Sequence, residues 1–186
     1  MTATRTAAVQ VPPTGLCRVD PKQSAVSYSG RHMGGLGTVH ATFTIRSGEL
    51  RVSDPPTASA LAVAVDAASL TSSSAKRDKD VRNSRLLGVD TYLEITFVSH
   101  ELRQDGDRWL LAGRVTSHGN TVPVELVVMD AHPEGDGIQL PARADRLGRH
   151  AFGITGREGW SGVTPTWTST SSLRRRGAGP CGMVLA

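Results

Sequence analysis

The sequence has 186 residues, of which 38% are hydrophobic and 20% are charged, and its formal net charge is +4. This length suits about one domain, the apolar share is too high for a disordered chain, and no run approaches the ~18 apolar residues of a membrane span. Half of the excess charge lies in residues 158–186, mainly in Arg174-Arg175-Arg176. The remaining chain is nearly neutral and lacks a nucleic-acid-binding footprint. We therefore expect neither a nucleic-acid partner nor a membrane-spanning chain.

The N-terminal segment, residues 1–14, has the composition of a flexible leader. It lacks the continuous apolar stretch of a secretory signal, so the expected location is cytoplasmic. Cys17 and Cys181 lie far apart and imply no disulfide framework.

The first half of the chain alternates between apolar and polar residues, as half-buried antiparallel strands do. In chain order, a weak strand is predicted at 25–29, a strong one at 39–45, a weak one at 49–52 and a strong one at 61–65. Ser47-Gly48 is predicted as a turn between the second and third of these strands.

The next segment breaks this alternation, because residues 72–88 are dense in charge and contain few β-branched residues. The serines before it are favoured N-caps, and Gly88 is a favoured C-terminal stop. The sequence therefore predicts one short helix near residues 74–87.

Alternation resumes after the helix, with strands predicted at 93–97, 122–128 and 140–144, and a weak strand is predicted at 109–116. About eight strands joined by short turns predict an all-β barrel or sandwich. Residues 15–157 would form this one domain.

Catalytic signatures are absent from the sequence. It contains no His-Glu-x-x-His, paired Cys-x-x-Cys, Gly-x-Ser-x-Gly or phosphate-binding Gly-x-x-x-x-Gly-Lys motif. Its six histidines are scattered, without the spacing of metal ligands on one element. We expect no catalytic residue, no metal and no other cofactor.

Four segments, covering about residues 14–157, together resemble the YceI-like family of lipocalin-like proteins. They are Asp20-Pro21 with Ser24 and Arg31-His32-Met33-Gly34; Ser69-Leu70-Thr71 with Arg77-Asp78 and Leu86-Leu87; Tyr92-Leu93-Glu94-Ile95-Thr96-Phe97; and Gly113 with Gly119-Asn120-Thr121-Val122-Pro123-Val124. Cys17 and Gln23 depart from the family pattern, which commonly has a bulky aromatic residue and a histidine there. Relatives are often exported, which this N-terminus does not suggest.

The resemblance implies an eight-stranded antiparallel lipocalin-like barrel that binds a polyisoprenoid or similar amphiphilic lipid without catalysis. Such a barrel either fills with side chains or holds one slender ligand. The candidate apolar lining residues are Val26, Tyr28, Val39, Phe43, Leu93, Ile95, Phe97, Val124 and Leu126. The same residues would equally suit a plain core.

A lipid head group would need polar or cationic side chains at the barrel mouth, where arginine can bind phosphate with a planar fork of donors. The candidates are Arg31, His32, Arg77, Asp78 and Arg149. The alternative, which we favour for Arg77-Asp78, is a structural ion pair that anchors the helix over the barrel end. A ligand-free structural or interaction domain stays open, as does an enzyme using Tyr28, His32 or His118, and so does a homodimer.

The C-terminal segment, residues 158–186, forms an atypical basic tail for which disorder is one interpretation. It lacks the aliphatic alternation of the family's last strand, which would leave that strand missing or disrupted. With suitable codons, another reading frame of 160–172 encodes a family-like strand with alternating aspartate and apolar residues. We hypothesise that a frameshift near residue 158 replaced the original C-terminus.

Overall fold

The computed structural model describes residues 13–32, 37–129, 131–134, 137–144, 147, 149–154, 166–170 and 172–174. The predicted leader up to residue 12 and most of the predicted tail lie outside these ranges. The described strands are β1 (Gly15–Val19), β2 (Ala25–His32), β3 (Gly37–Val52), β4 (Ala60–Asp66), β5 (Thr71–Ser72), β6 (Glu94–Asp105), β7 (Arg108–Ser117), β8 (Asn120–Val128), β9 (His132–Glu134), β10 (Gly137–Gln139), β11 (Ala142–Ala144), β12 (Thr166–Thr170) and β13 (Ser172–Arg174). The helix α1 spans Ala75–Arg82, and short 3-10 turns span Pro56–Ala58, Ala67–Ser69 and Arg149–Phe152.

Eight of the described strands pair into a closed antiparallel ring. The order around the ring is β2, β3, β4, β6, β7, β8, β11 and β12, and β12 pairs back onto β2. The strands β1, β13, β10 and β9 extend the sheet from β3. The predicted all-β, eight-stranded antiparallel barrel is confirmed.

The register of the ring explains which side chains enter its interior. Directly paired residues of antiparallel strands point to the same side of the sheet. Phe97 pairs with both Val63 and Val115, and Leu111 pairs with Leu126. These apolar pairs form the inner face, and period-two alternation predicted them because the outer face carries polar residues.

The strand β3 corrects the predicted turn at Ser47-Gly48. Its 16 residues run through this dipeptide, and the pairing with β4 shifts register between Ile45 and Ser47. This β-bulge switches the inward positions from odd numbers, such as Ile45, to even numbers, such as Leu50. Gly48 permits close packing there, because an added Cβ would lie 2.4 Å from Cγ2 of Val19.

The helix α1 confirms the predicted helix and shortens it. The Ser74 hydroxyl accepts a hydrogen bond from the Arg77 backbone N–H at 3.3 Å, which is N-cap geometry. The helix ends at Arg82, five residues before the predicted end, and turns continue to Gly88, whose φ is +58°. Gly88 therefore lies within a run of turns that follows the helix and does not end the helix itself.

The strand β12 stands where a family-like last strand would close the barrel. Trp167 pairs with Tyr28 of β2 and with Ala144 of β11. Thus the range predicted as a tail contains β12 and the short strand β13, which pairs with β1 and β10. The exact domain boundaries and the frameshift stay predictions.

Candidate functional site

One cavity lies between α1 and the barrel interior, and we call it the helix-end cavity. Its volume is about 120 Å³. The lining residues are Tyr28, Val39, Ala41, Phe43, Leu70, Ser72, Arg77, Val81, Leu86, Leu87, Ile95, Ser117, Leu147, Phe152 and Ile154. Most of these side chains are aliphatic or aromatic, so the cavity suits an apolar group.

Two smaller cavities continue along the interior. The middle cavity has a volume of about 70 Å³ and is lined by residues that include Val26, Phe97, Val115 and Leu126. The far cavity has a volume of about 60 Å³ and is lined by residues that include Trp109 and Leu111. The three cavities together give the barrel interior a broken apolar path.

Eight of the nine predicted lining residues contact these cavities. Tyr28, Val39 and Phe43 line the helix-end cavity, and Ile95 lines both the helix-end and middle cavities. The other four line the middle cavity: Val26, Phe97, Val124 and Leu126. Whether they contact a ligand stays a prediction.

Leu93 is wrongly predicted as an inward residue. Its side chain is 58% exposed, and it lies outside β6, which begins at Glu94. The Leu93 carbonyl instead accepts a hydrogen bond from the Ala67 backbone N–H at 3.0 Å. The alternation of apolar and polar residues therefore begins one residue before the strand β6 itself.

The predicted head-group pair Arg77 and Asp78 is connected through Ser72. The Ser72 backbone N–H donates to Asp78 Oδ2 at 3.0 Å, and the Ser72 hydroxyl donates to Asp78 Oδ1. Arg77 Nε and Nη2 donate to the same hydroxyl oxygen at 3.1 and 3.0 Å. Among the described residues, Arg77 forms no direct salt bridge. The predicted structural ion pair of Arg77 and Asp78 is therefore indirect, with the Ser72 hydroxyl between the two side chains.

The electrostatics of this network favour a charged Asp78. Hydrogen bonds from the Ser72 hydroxyl and backbone N–H hold the pKa of the Asp78 carboxyl below its usual value, and the guanidinium groups of Arg82 and Arg77 act in the same direction. Burial opposes this shift, because it disfavours the charged form. Arg82 also fixes the helix by donating from Nη2 to the Leu70 carbonyl at 2.5 Å.

The other three head-group candidates lie outside the described side chains. Arg31 and His32 end β2, and Arg149 begins the 3-10 turn that ends at Phe152. Their roles at the mouth of the barrel stay predictions.

Several cavity residues were not predicted as lining, because they come from elements without period-two alternation. Val81 belongs to α1, and Leu86 and Leu87 follow it. Phe152 and Ile154 come from the 3-10 turn and the residues after it. The apolar pair Leu86-Leu87 in an otherwise charged segment was the available signal for a buried position.

Of the residues considered for acid–base catalysis, the side chains of Tyr28 and His118 are described and that of His32 is not. Tyr28 lines the helix-end cavity, whereas His118 packs on Tyr92 with ring centroids 4.6 Å apart. No group of three or more His, Cys, Asp or Glu suited to a metal ion occurs in the part of the chain that the structure describes. Within that part, too, no helix is both long and apolar enough to cross a bilayer.

The sequence profile of the YceI-like domain matches residues 18–169. A UPF0312 protein from Pectobacterium atrosepticum is 35% identical over 71 residues, which is 38% of this chain and 37% of that protein. The chain spans between 37% and 60% of the length of four such curated relatives.

Solved structures with a similar fold include those of two bacterial proteins. Burkholderia cenocepacia BcnA has a TM-score of 0.71 at 19% identity, with 84% of this chain and 99% of that chain covered. A polyisoprenoid binding domain from Saccharophagus degradans has a TM-score of 0.61 at 12% identity, with 86% and 98% covered. At such identities these likenesses establish the fold alone.

Proposed function

Since the chain belongs to the YceI-like family, we propose that its barrel interior binds the chain of an isoprenoid or similar amphiphilic lipid without catalysing a reaction. The single observation that carries this proposal is the helix-end cavity, an apolar space bounded by α1 and strands of the barrel. The domain of similar fold from Saccharophagus degradans is a polyisoprenoid binding domain, which supports this ligand class.

The energetics of burial favour a slender apolar chain over a polar metabolite. Each buried methylene contributes about 0.8 kcal/mol, and a few isoprene units offset the cost of association. A fully polar ligand would find few partners, because the polar side chains that line the helix-end cavity are Tyr28, Ser72, Arg77 and Ser117. A ligand with one polar end and one apolar chain fits this distribution.

Arg77 is the proposed contact for an anionic head group. Arg77 lines the helix-end cavity, and the hydrogen bonds of its side chain go to the hydroxyls of Ser72 and Ser73. Because no described carboxylate forms a direct salt bridge with it, a phosphate could supply a charged partner. Charge-assisted bonds between arginine and phosphate are stronger than those to a neutral hydroxyl.

Extraction of the purified protein tests the proposal. The protein would be extracted with chloroform and methanol, and the extract compared by mass spectrometry with that of an unrelated protein purified from the same cells. We expect an isoprenoid or fatty amphiphile in amounts approaching one per chain. Absence of any enriched amphiphile, together with no binding of added geranyl phosphate, would contradict the proposal and favour a ligand-free structural domain.

A further inference from the structure

The three interior cavities lie in a fixed order along the barrel. On β7, Trp109 and Leu111 line the far cavity, Val115 lines the middle cavity and Ser117 lines the helix-end cavity. The distance from residue 109 to residue 117 is roughly 26 Å at ~3.3 Å per residue. The cavities therefore succeed one another along the path that an inserted chain would follow.

Two side chains form the partition between the helix-end and middle cavities. Ile95 and Leu147 line both cavities, and each side chain is only 5% exposed. Ile95 is held within β6, where it pairs with Val65 of β4. A chain entering from α1 would therefore meet these two side chains before it reached the middle cavity.

The partition between the middle and far cavities is built differently. Leu140 lines both cavities, and the Phe97 ring lies over Gly113, where an added Cβ would be 2.5 Å from Phe97 Cε2. Gly113 separates Leu111 of the far cavity from Val115 of the middle cavity along β7. Removing the first partition alone would therefore extend the accessible path only into the middle cavity.

The volume of the helix-end cavity is small for a long lipid chain. Its value of about 120 Å³ is below the ~150 Å³ of an engineered protein cavity that binds benzene. With the partition in place, this space suits a short apolar segment, and further carbons of a longer chain would stay outside.

We infer that Ile95 and Leu147 determine the chain length of the bound amphiphile by closing the helix-end cavity. This inference rests on the proposed function, since it concerns the depth to which the same ligand enters. Ile95 and Leu147 are specificity-determining residues in this account, whereas Arg77 acts on the opposite, polar end of the ligand.

A series of prenyl phosphates tests the inference. Geranyl, farnesyl and geranylgeranyl phosphate, with two, three and four isoprene units, would be titrated calorimetrically below their micelle concentrations. For the wild type we expect affinities within about threefold of one another. For Ile95→Ala and for Leu147→Ala we expect farnesyl phosphate to bind at least tenfold more tightly than geranyl phosphate, because the enlarged space then includes the middle cavity and takes up more of the longer chain.

Leu111→Ala is the matched control. Leu111 is as well buried as Ile95, with 4% of its side chain exposed, but it lines the far cavity and not the partition. Its removal creates comparable space and should leave the chain-length ratio at the wild-type value. If Ile95→Ala does not fold, Ile95→Val takes its place in the test. This smaller change should raise the chain-length ratio by a smaller factor.

The outcomes separate the inference from the proposed function. If the prenyl phosphates bind but the ratio in the Ile95 and Leu147 variants equals that of the wild type, the assignment of the partition is wrong while lipid binding stands. A tenfold rise in affinity with chain length in the wild type itself would also contradict the assignment of the partition. If neither the wild type nor any variant binds any of the three probes, both proposals fail.

Discussion

Ser72 and Asp78 are joined by two hydrogen bonds to the two oxygens of one buried carboxylate. The backbone N–H of Ser72 donates to Oδ2 at 3.0 Å, and its hydroxyl donates to Oδ1. Ser72 ends β5 and Asp78 lies within α1, so this carboxylate fixes the helix to the strand beside the cavity. The position of α1 over the barrel depends on this local chemistry.

Asp78→Asn should destabilise the fold. The asparagine amide can replace at most one of the two acceptor oxygens, and the loss of a hydrogen bond to a buried charged group costs about 1–3 kcal/mol. The free energy of unfolding from urea titration at neutral pH measures this effect. Asp80→Asn is the control, because Asp80 is exposed on the same helix. Equal stability of the Asp78 and Asp80 variants would contradict the assigned role.

Stability should fall on acidification through the titration of Asp78. Its pKa is lower in the folded state than the usual 3.8, so the stabilisation is complete above that value and is lost as the pH falls below it towards the folded-state pKa. Urea titrations from pH 2.5 to 7 would measure this loss in the wild type. Asp78→Asn should show a shallower decline over the same range, and an identical pH profile would be evidence against the linkage.

Arg77→Ala should weaken the binding of an anionic head group and spare a neutral one. We expect geranyl phosphate to lose about tenfold in affinity, which corresponds to ~1.4 kcal/mol, while geraniol keeps its affinity within about twofold. Arg85→Ala is the matched control, because Arg85 is exposed and does not line the cavity. Equal losses for the phosphate and the alcohol would show that Arg77 acts only on the structure of the cavity.

The frameshift hypothesis predicts a more stable protein when residues 160–172 carry the sequence of the alternative frame. That frame places leucine at position 167 and valine at 169, with aspartate at 166, 168 and 170. Positions 167 and 169 pair with Tyr28 and Val26, so the apolar residues would fall on the inner face and the aspartates on the outer face. Leucine replaces a tryptophan at 167, so the gain comes from valine in place of Ser169, whose burial should add about 1–3 kcal/mol to the free energy of unfolding.

The urea midpoint of the exchanged chain relative to the original measures this prediction. A chain with the same thirteen residues in scrambled order is the control for composition. A lower midpoint for the alternative-frame chain would contradict the hypothesis, as would an intact reading frame in DNA from several independent isolates.

The barrel was predictable from the sequence because its inner and outer faces differ in polarity. The segment 39–45 shows this directly, since inward Val39, Ala41 and Phe43 alternate with polar residues. The β-bulge near Ile45 was not predictable in this way. Its extra residue switches the inward-facing positions from odd to even numbers, and before a glycine this break in the alternation resembles a turn. The strand Thr166–Thr170 was missed because its sequence contains no aliphatic residue, so its place depends on pairing with β2 and β11.

The candidate site was only partly predictable, because alternation reports which face a residue occupies and not whether space remains beside it. It identified Phe43 and Ile95 as inward residues but could not show that Ile95 lies between two cavities. The serine-mediated contact of Arg77 with Asp78 also escaped prediction. This contact depends on Ser72, which lies five residues before Arg77 and six before Asp78. The position of Ser72 in turn depends on the pairing of β5 with β3.

Native mass spectrometry of the wild type and of Ala41→Leu, each with added geranyl phosphate, determines whether the helix-end cavity is the binding site. Ala41 lines the helix-end cavity and is 5% exposed, so a leucine there fills the space while keeping it apolar. We predict one bound geranyl phosphate per wild-type chain and at least a tenfold lower occupancy in Ala41→Leu, with a melting temperature no lower than that of the wild type. Equal occupancy in the two proteins would place the ligand elsewhere and contradict the claim that the helix-end cavity is the binding site.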